Sequence, residues 1–287
     1  MEENNERKIG AMLYLCATPI GNLGDMTYRC VEVLKSVDMI AAEDTRRTLG
    51  LLNHLEISKP LTSYHEHNKR EKGEYIISLL KEGKNIALVS DAGSPAISDP
   101  GEDLVKLCIE NNIEFTSVPG PAAVINALIL SGFSTKSFLF AGFVPVGKKQ
   151  KQDFLNKYKN DENTLIFYEA PHKLKDTLSA MQKVFGGERK LALAREMTKI
   201  HEQVLRMTAD EAVSYYNEND PRGEYVLVVE GACNLLTAEH SWWEDMTVCE
   251  HIDKYIADGM DSKEAVKAAA KDRNIPKREA YNEYHGR

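Results

Sequence analysis

The chain has 287 residues, room for one large or two ordinary domains, and its composition is that of a globular protein rather than a disordered or fibrous one. A net charge of −8 gives no overall nucleic-acid footprint, so an RNA partner would need local basic patches. The five cysteines (Cys16, Cys30, Cys108, Cys233 and Cys249) are scattered and form no Cys-x-x-Cys pair, which argues against a disulfide framework or a zinc site and for a reducing, cytoplasmic setting.

The apolar stretches are too short for a membrane span, and the polar residues 1–7 carry no signal-peptide core. Residues 1–8 read as a frayed, charged tail. A buried first strand at 12–17 runs into Thr18-Pro19-Ile20-Gly21-Asn22-Leu23-Gly24-Asp25, a loop with two glycines at a strand-to-helix junction. Helical spacing over 27–37 and a second strand at Met39–Ala42 complete a βαβ unit that lacks the dinucleotide fingerprint Gly-x-Gly-x-x-Gly.

The second strand ends in Glu43-Asp44-Thr45-Arg46-Arg47-Thr48. Read as a loop, this is either a solvated salt-bridging turn or an anion site in which carboxylates hold arginine forks. Leu61-Thr62-Ser63-Tyr64-His65-Glu66-His67-Asn68 predicts a third strand and a polar loop. His65 and His67 invite a metal reading, but no further ligand cluster stands near them, and contact with a substrate phosphate or base fits better. A helix follows at 74–80, then a strand at Ile86–Val89.

That strand opens Ser90-Asp91-Ala92-Gly93-Ser94-Pro95-Ala96-Ile97-Ser98-Asp99-Pro100-Gly101, a loop of small residues, prolines and two aspartates before a helix at 102–109. The carboxyl end of a strand is where open α/β sheets bind ligands, and small residues let a ligand approach the backbone. The plainer reading is a tight turn with Asp99 at a helix N-terminus. A fifth strand at 113–118 closes on Pro119-Gly120-Pro121-Ala122-Ala123, which opens a helix over 124–130. Five strand–loop–helix units thus put these loops on one rim.

From residue 138 the pattern changes towards antiparallel strands, predicting a second α/β domain. Its strands are 138–145, 164–168 (ending in Tyr168-Glu169-Ala170-Pro171-His172-Lys173), 191–194, 201–207 and 225–230, with a helix at 174–184 and a basic run Lys148-Lys149-Gln150-Lys151. A polar linker at 232–245 carries Trp242 and Trp243. Three helices at Val248–Ala257, 262–271 and Lys277–His285 suggest a helix-turn-helix-like module, with Asp261-Ser262-Lys263-Glu264 resembling a capping box. The last two helices carry a local basic excess that includes Lys277 and Arg278, read either as an RNA-facing surface or as the solvated face of a capping bundle. The expected domains are 1–125, 126–235 and 245–287.

Taken in order, the five motifs 18–25, 43–48, 90–101, 118–123 and 168–172 closely resemble the ribosomal RNA small subunit methyltransferase I family, within the tetrapyrrole methylase superfamily, over nearly the whole chain. The resemblance implies a two-domain α/β methylase, usually a homodimer, that binds S-adenosylmethionine in the cleft between domains. It implies 2′-O-methylation of a cytidine ribose in the decoding region of 16S rRNA within the small ribosomal subunit. By this match Pro19, Gly21, Asn22, Leu23, Asp91, Ala92, Gly93, Ser94, Pro95, Ala96, Pro119, Gly120, Pro121, Ala122 and Ala123 line the methyl-donor site, closed by Tyr168 and Glu169 from the second domain.

A ribose hydroxyl is a poor nucleophile, so a base should help; Glu43, Asp44, Asp91, Glu169 and His172 are candidates, with Asp91 better suited to the cofactor. Arg46, Arg47, His65, Lys148, Lys149, Lys277 and Arg278 are the expected RNA contacts, and no metal is expected. The rival readings are a tetrapyrrole methylase, a protein-modifying methylase like the diphthine synthases, and a non-enzymatic ribosome-binding factor. The first two would not need the arginine motif or the basic C-terminal helices.

Overall fold

The computed structural model describes residues 11–232, 243, 246–273 and 275–286. The expected tail at 1–8 and most of the linker at 232–245, with Trp242, lie outside the described residues. The chain divides into two compact units, Met1–Ala232 and Cys233–Arg287.

The first unit holds two sheets. Strands β1 (Met12–Cys16), β2 (Met39–Ala42), β3 (Leu61–Ser63), β4 (Ile86–Val89) and β5 (Glu114–Val118) pair in the order β3-β2-β4-β1-β5, all parallel. Helices α1 (Tyr28–Ser36), α2 (Thr45–His54), α3 (Lys69–Lys81) and α4 (Gly101–Glu110) make the crossovers. Because side chains alternate along a strand, β4 buries Ile86 and Leu88 with Leu104, Ile76 and Leu80 on one face. Ala87 and Val89 pack with Leu34 and Leu52 on the other. Being covered on both faces is what parallel sheets require, and it explains why β4 reads as an uninterrupted apolar run.

Residues 45–54 differ from the reading of 43–48 as a loop. Asp44 is the N-cap of α2, its Oδ1 accepting the Arg46 N–H at 2.9 Å, and Thr48 and Leu52 turn inward one helical turn apart. Arg46 and Arg47 therefore sit in the first turn of a helix. Helix α3 starts at Lys69, five residues earlier than the apolar spacing suggests, because its first turn is polar.

Strands β6 (Phe138–Phe143), β7 (Thr164–Glu169), β8 (Lys190–Arg195), β9 (Gln203–Thr208) and β10 (Tyr225–Val229) form the second sheet in the order β6-β7-β10-β8-β9, antiparallel except for β6 with β7. Helix α5 (Ala123–Ser131) packs Val124, Ala127 and Leu128 against Ile166, Ala192, Ala194, Val226 and Val228 of this sheet. The expected boundary at 125/126 thus falls inside a helix that packs chiefly on the downstream sheet. The opposite face is covered by α6 (Lys148–Asn156), α7 (Pro171–Phe185) and α8 (Ala209–Glu218), through Leu155, Leu174, Leu178, Met181 and Tyr216. Helix α8, absent from the sequence reading, opens on a capping box in which Thr208 and Glu211 satisfy each other's backbone N–H.

In the second unit α9 (Val248–Ala257), α10 (Ser262–Asp272) and α11 (Lys277–His285) enclose Ile252, Val266, Ala269 and Ala280. The capping box expected at 261–264 is instead at Thr247 and Glu250; Asp261 caps the Lys263 N–H alone. Lys277 and Arg278 are exposed in the first turn of α11.

Candidate active site

All five parallel strands end on one rim, and backbone hydrogen bonds pin its loops together. Thr18 and Gly93 exchange both N–H···O bonds, at 2.9 and 3.0 Å, and the Thr18 hydroxyl donates to the Ser90 carbonyl at 3.1 Å. The loops after β1 and β4 are thereby one rigid piece. The loop after β5 joins them at Gly120, where an added Cβ would stand 2.8 Å from the Ala17 Cβ. No side chain larger than hydrogen fits that approach.

Asp99 organises the remainder of the β4 loop. Its carboxylate accepts from the N–H groups of Ala96, Ile97 and Gly101, and in the same stretch Ala96 and Ser98 are left-handed at φ 68° and 64°. Two such residues so close together cost free energy that the Asp99 bonds offset, a pattern typical of ligand-binding loops. The plainer reading of Asp99, at a helix N-terminus, describes its bonds.

Asp91, expected at the cofactor, spends its carboxylate on neighbours: Oδ1 accepts the Asp44 N–H at 3.1 Å and Oδ2 the Arg47 Nη1–H at 3.0 Å. It thereby ties the start of α2 to the end of β4. Asp44 pairs with Arg46 through Nε and Nη2 at 3.2 and 3.1 Å, and that pairing holds its carboxyl below the usual range. A carboxylate so stabilised is a poor base.

Glu43 has the opposite character. Burial, and then the charges of Asp91 and Asp99, push its carboxyl above the ordinary value, with His65 and Arg47 partly offsetting them. That desolvation is partial, since Glu43 is open to solvent on the rim; His65 nearby has a buried Nδ1 with no hydrogen-bond partner among the described residues. The structure therefore separates the expected bases. Glu169 is 1 % exposed and accepts from the Ala170 N–H at 2.9 Å and the Thr177 hydroxyl at 2.5 Å, a structural carboxylate. His172 is exposed in the first turn of α7.

A cavity of about 320 Å³ lies between the β1 loop, α2 and the end of β4. Pro19, Gly21, Leu23 and Asp91, expected at the methyl donor, and Arg47, expected at RNA, line it together with Thr48, Gly50, Leu51 and His54 of α2. The sequence reading missed these last four because it missed the helix; Asp44 followed by Thr48, Leu51 and Leu52 at helical spacing was the available signal. Pro95, Ala96 and 119–123 stand elsewhere on the rim, and Lys148 and Lys149 on α6 outside it.

The second sheet reaches the rim through two features. Tyr168, the last residue but one of β7, has its ring 4.9 Å from Phe140 and 5.3 Å from Phe143, burial pushing its hydroxyl up to about 12. Ile20 of the β1 loop packs into the same apolar cluster. After β8, a Cβ on Gly21 would meet Lys199 Cγ at 2.6 Å, Thr198 Oγ1 at 2.9 Å and the Met197 carbonyl at 3.0 Å. Thr198 is left-handed at φ 66°, an outlier for a β-branched residue, and its buried hydroxyl has no partner among the described residues. No sequence signal marked this strap.

Among the described residues no group of His, Cys, Asp and Glu could hold a metal, and no helix is long and apolar enough to cross a membrane.

Residues 12–213 match the tetrapyrrole (corrin/porphyrin) methylase family. The chain is 51 % identical to the ribosomal RNA small subunit methyltransferase I of Bacillus subtilis (strain 168), across 99 % of this chain and 97 % of that one. It is 45 % identical to the protein of the same name from Synechocystis, across 94 % and 96 %. The fold resembles a cobalt precorrin-4 methyltransferase (TM-score 0.58, 16 % identity, 77 % of this chain and 95 % of that one). It also resembles a uroporphyrin-III C-methyltransferase from Thermus thermophilus (TM-score 0.54, 19 % identity, 79 % and 98 %).

Proposed function

This chain belongs to the ribosomal RNA small subunit methyltransferase I family of tetrapyrrole methylases, and from that premise we propose that it transfers a methyl group to rRNA of the small ribosomal subunit. The finer reading is S-adenosylmethionine-dependent 2′-O-methylation of a cytidine ribose in the decoding region of 16S rRNA. The observation that supports it most is the rim itself: pinned small-residue loops beside a cavity, with a raised carboxyl at Glu43 and arginines in the first turn of α2.

The rim suits the methyl donor. The cavity of about 320 Å³ beside the small-residue loops, and the Thr198 hydroxyl without a partner among the described residues, suit a flat, polar nucleoside. Residues 19–23, 91–96 and 119–123 would hold it, with Tyr168 and the 197–199 strap closing from the second sheet. S-adenosylmethionine, when bound, supplies an electrophilic methyl on a sulfonium, already a good leaving group.

The protein's own work is then alignment and proton removal. Glu43 takes the proton of the ribose hydroxyl, and its raised carboxyl makes it the stronger base of the candidates. Asp91 fixes α2 by pairing with Arg47, and Arg46, with its side chain 90 % exposed, faces the flanking phosphates. A homodimer belongs to the same proposal, supported by the exposed apolar side chains of Phe115 on the edge strand β5 and of Ile125 and Ile129 on α5.

The test is transfer from labelled S-adenosylmethionine to small subunits taken from cells lacking this protein, with naked 16S rRNA and a uroporphyrinogen in parallel. Label in an alkali-resistant dinucleotide is the expected result. Label only in the uroporphyrinogen overturns it in favour of tetrapyrrole methylation, and binding to subunits without transfer in favour of a non-enzymatic factor.

A further inference from the structure

We propose that Phe143 is a stacking platform for the nucleobase of the nucleotide whose ribose is methylated, which rests on the methyl-transfer reading above and names what holds its substrate. Phe143 is the last residue of β6, and 54 % of its surface is exposed. An isolated exposed apolar side chain is ordinary. The way this one comes to be exposed is not.

Side chains alternate along a strand, so residues three apart point to opposite faces. In β6, Phe140 belongs to the apolar cluster with Ile166 and Tyr168 on the face that carries α5, while Leu139 and Ala141 pack on the other face. Regular alternation would send Phe143 after Leu139 and Ala141. A bulge intervenes: β6 advances three residues from Phe140 to Phe143 where β7 advances two, from Ile166 to Tyr168. Gly142, left-handed at φ 72°, sits inside it. The bulge lets Val144 enter the core at 1 % exposure and turns Phe143 to the α5 face, opposite Tyr168. Bulges of this kind re-aim a side chain, and they are over-represented beside active sites.

The re-aimed ring stands at the rim. Its centroid is 5.3 Å from that of Tyr168, which is itself 4.9 Å from Phe140, so two further rings fix it from behind. A Cβ added at Gly142 would lie 3.8 Å from Ser98 Oγ, which puts the bulge against the β4 loop. Ser98 precedes Asp99, whose charge helps to raise the Glu43 carboxyl. A 2′-hydroxyl shares its sugar with a base, so a ribose presented to Glu43 brings a flat nucleobase with it. An exposed aromatic ring takes up such a base by stacking, and a phenyl ring, having no hydrogen-bonding group, orients the nucleotide without choosing its identity. The arginines of α2 contact phosphates and leave this part of the nucleotide unheld.

The test compares Phe143→Ala, Phe143→Leu and Phe143→Trp in the full-length protein, with saturating S-adenosylmethionine and small subunits from cells lacking the protein. Loss of one base stack should lower kcat/KM for subunits about tenfold in Phe143→Ala. Phe143→Leu, which keeps apolar bulk without an aromatic face, should lose nearly as much, and Phe143→Trp should retain wild-type transfer. The thermal midpoint and the S-adenosylmethionine Kd should match wild type in all three; should Phe143→Ala fail to fold, the Leu and Trp variants decide. Wild-type transfer by Phe143→Leu, or a Trp variant no better than Leu, overturns the proposal. Cofactor affinity falling in step with transfer overturns it in favour of a wall of the donor site. A lighter species of Phe143→Ala in sedimentation overturns it in favour of contact with a second copy of this chain. In each of these cases the wild-type protein still transfers and the methyl-transfer reading stands, whereas absence of transfer by the wild-type protein overturns both.

Discussion

The Arg47 guanidinium stands 3.0 Å from the Asp91 carboxylate, joining the first turn of α2 to the carboxyl end of β4 across 44 residues of chain. The pair is solvent-accessible, so it adds less than about 1 kcal/mol to stability. Its consequence is positional, since the same carboxylate holds the Asp44 N–H and so sets where Glu43 stands.

Asp91→Asn keeps an acceptor for Asp44 but loses the charge on Arg47. Methyl transfer to small subunits should fall about tenfold to a hundredfold, with misplacement rather than unfolding as the cause. The check is kcat/KM beside the thermal midpoint, which should move by less than about 3 °C.

Glu43→Gln separates stability from activity. The folded-state carboxyl is raised by burial and by Asp91 and Asp99, so the folded protein favours its protonated form. That contribution is fully present below the unfolded value of about 4.3 and is lost as pH rises through the higher folded value. At neutral pH the ionised side chain therefore costs stability. The Gln variant should melt higher at pH 7, with the gain vanishing as pH falls through the ordinary carboxylate range, while methyl transfer is largely lost. Melting curves and rates across pH test both halves.

Gly21→Ala drives a Cβ against Lys199 Cγ, Thr198 Oγ1 and the Met197 carbonyl. Overpacking of this kind costs about 1–3 kcal/mol, paid where the two sheets' loops meet. Calorimetric titration should find S-adenosylmethionine binding weakened about tenfold or more.

Arg46→Ala removes an exposed guanidinium from the start of α2. Transfer to rRNA should weaken while cofactor affinity stays nearly unchanged, and filter binding of rRNA should show a shallower salt dependence. Equal loss of cofactor and rRNA binding would end that division of labour.

Thr177→Val leaves Lys151 and Glu169 buried without the hydroxyl that links them. The expected loss is about 2–4 kcal/mol in urea unfolding, with Thr177→Ser restoring most of it.

The strands were legible because each is a short apolar run ended by turn chemistry, and residues 39–42 and 86–89 match the sequence reading to the residue. The functional loops were legible for the same reason, since Gly, Pro and Asp cluster there. Helices α2 and α8 were not, because their exposed faces are polar and their apolar positions few. Which of several carboxylates can act as a base was beyond the sequence as well. Glu43, Asp44 and Glu169 share a chemical group, and only their neighbours distinguish a raised, a lowered and a fully bonded one.

By itself, then, the order of motifs determined the family, the parallel first sheet and the rim on which its loops meet. These follow from local patterning, which one stretch of chain carries without reference to any other. The tertiary structure alone decided that α5 belongs to the second sheet, that Asp91 serves Arg47 and Asp44, and that a strap at 197–199 closes on Gly21. Each of these is a contact between residues tens of positions or more apart. Burial and charge at such contacts depend on what packing brings together, and no window of sequence contains that.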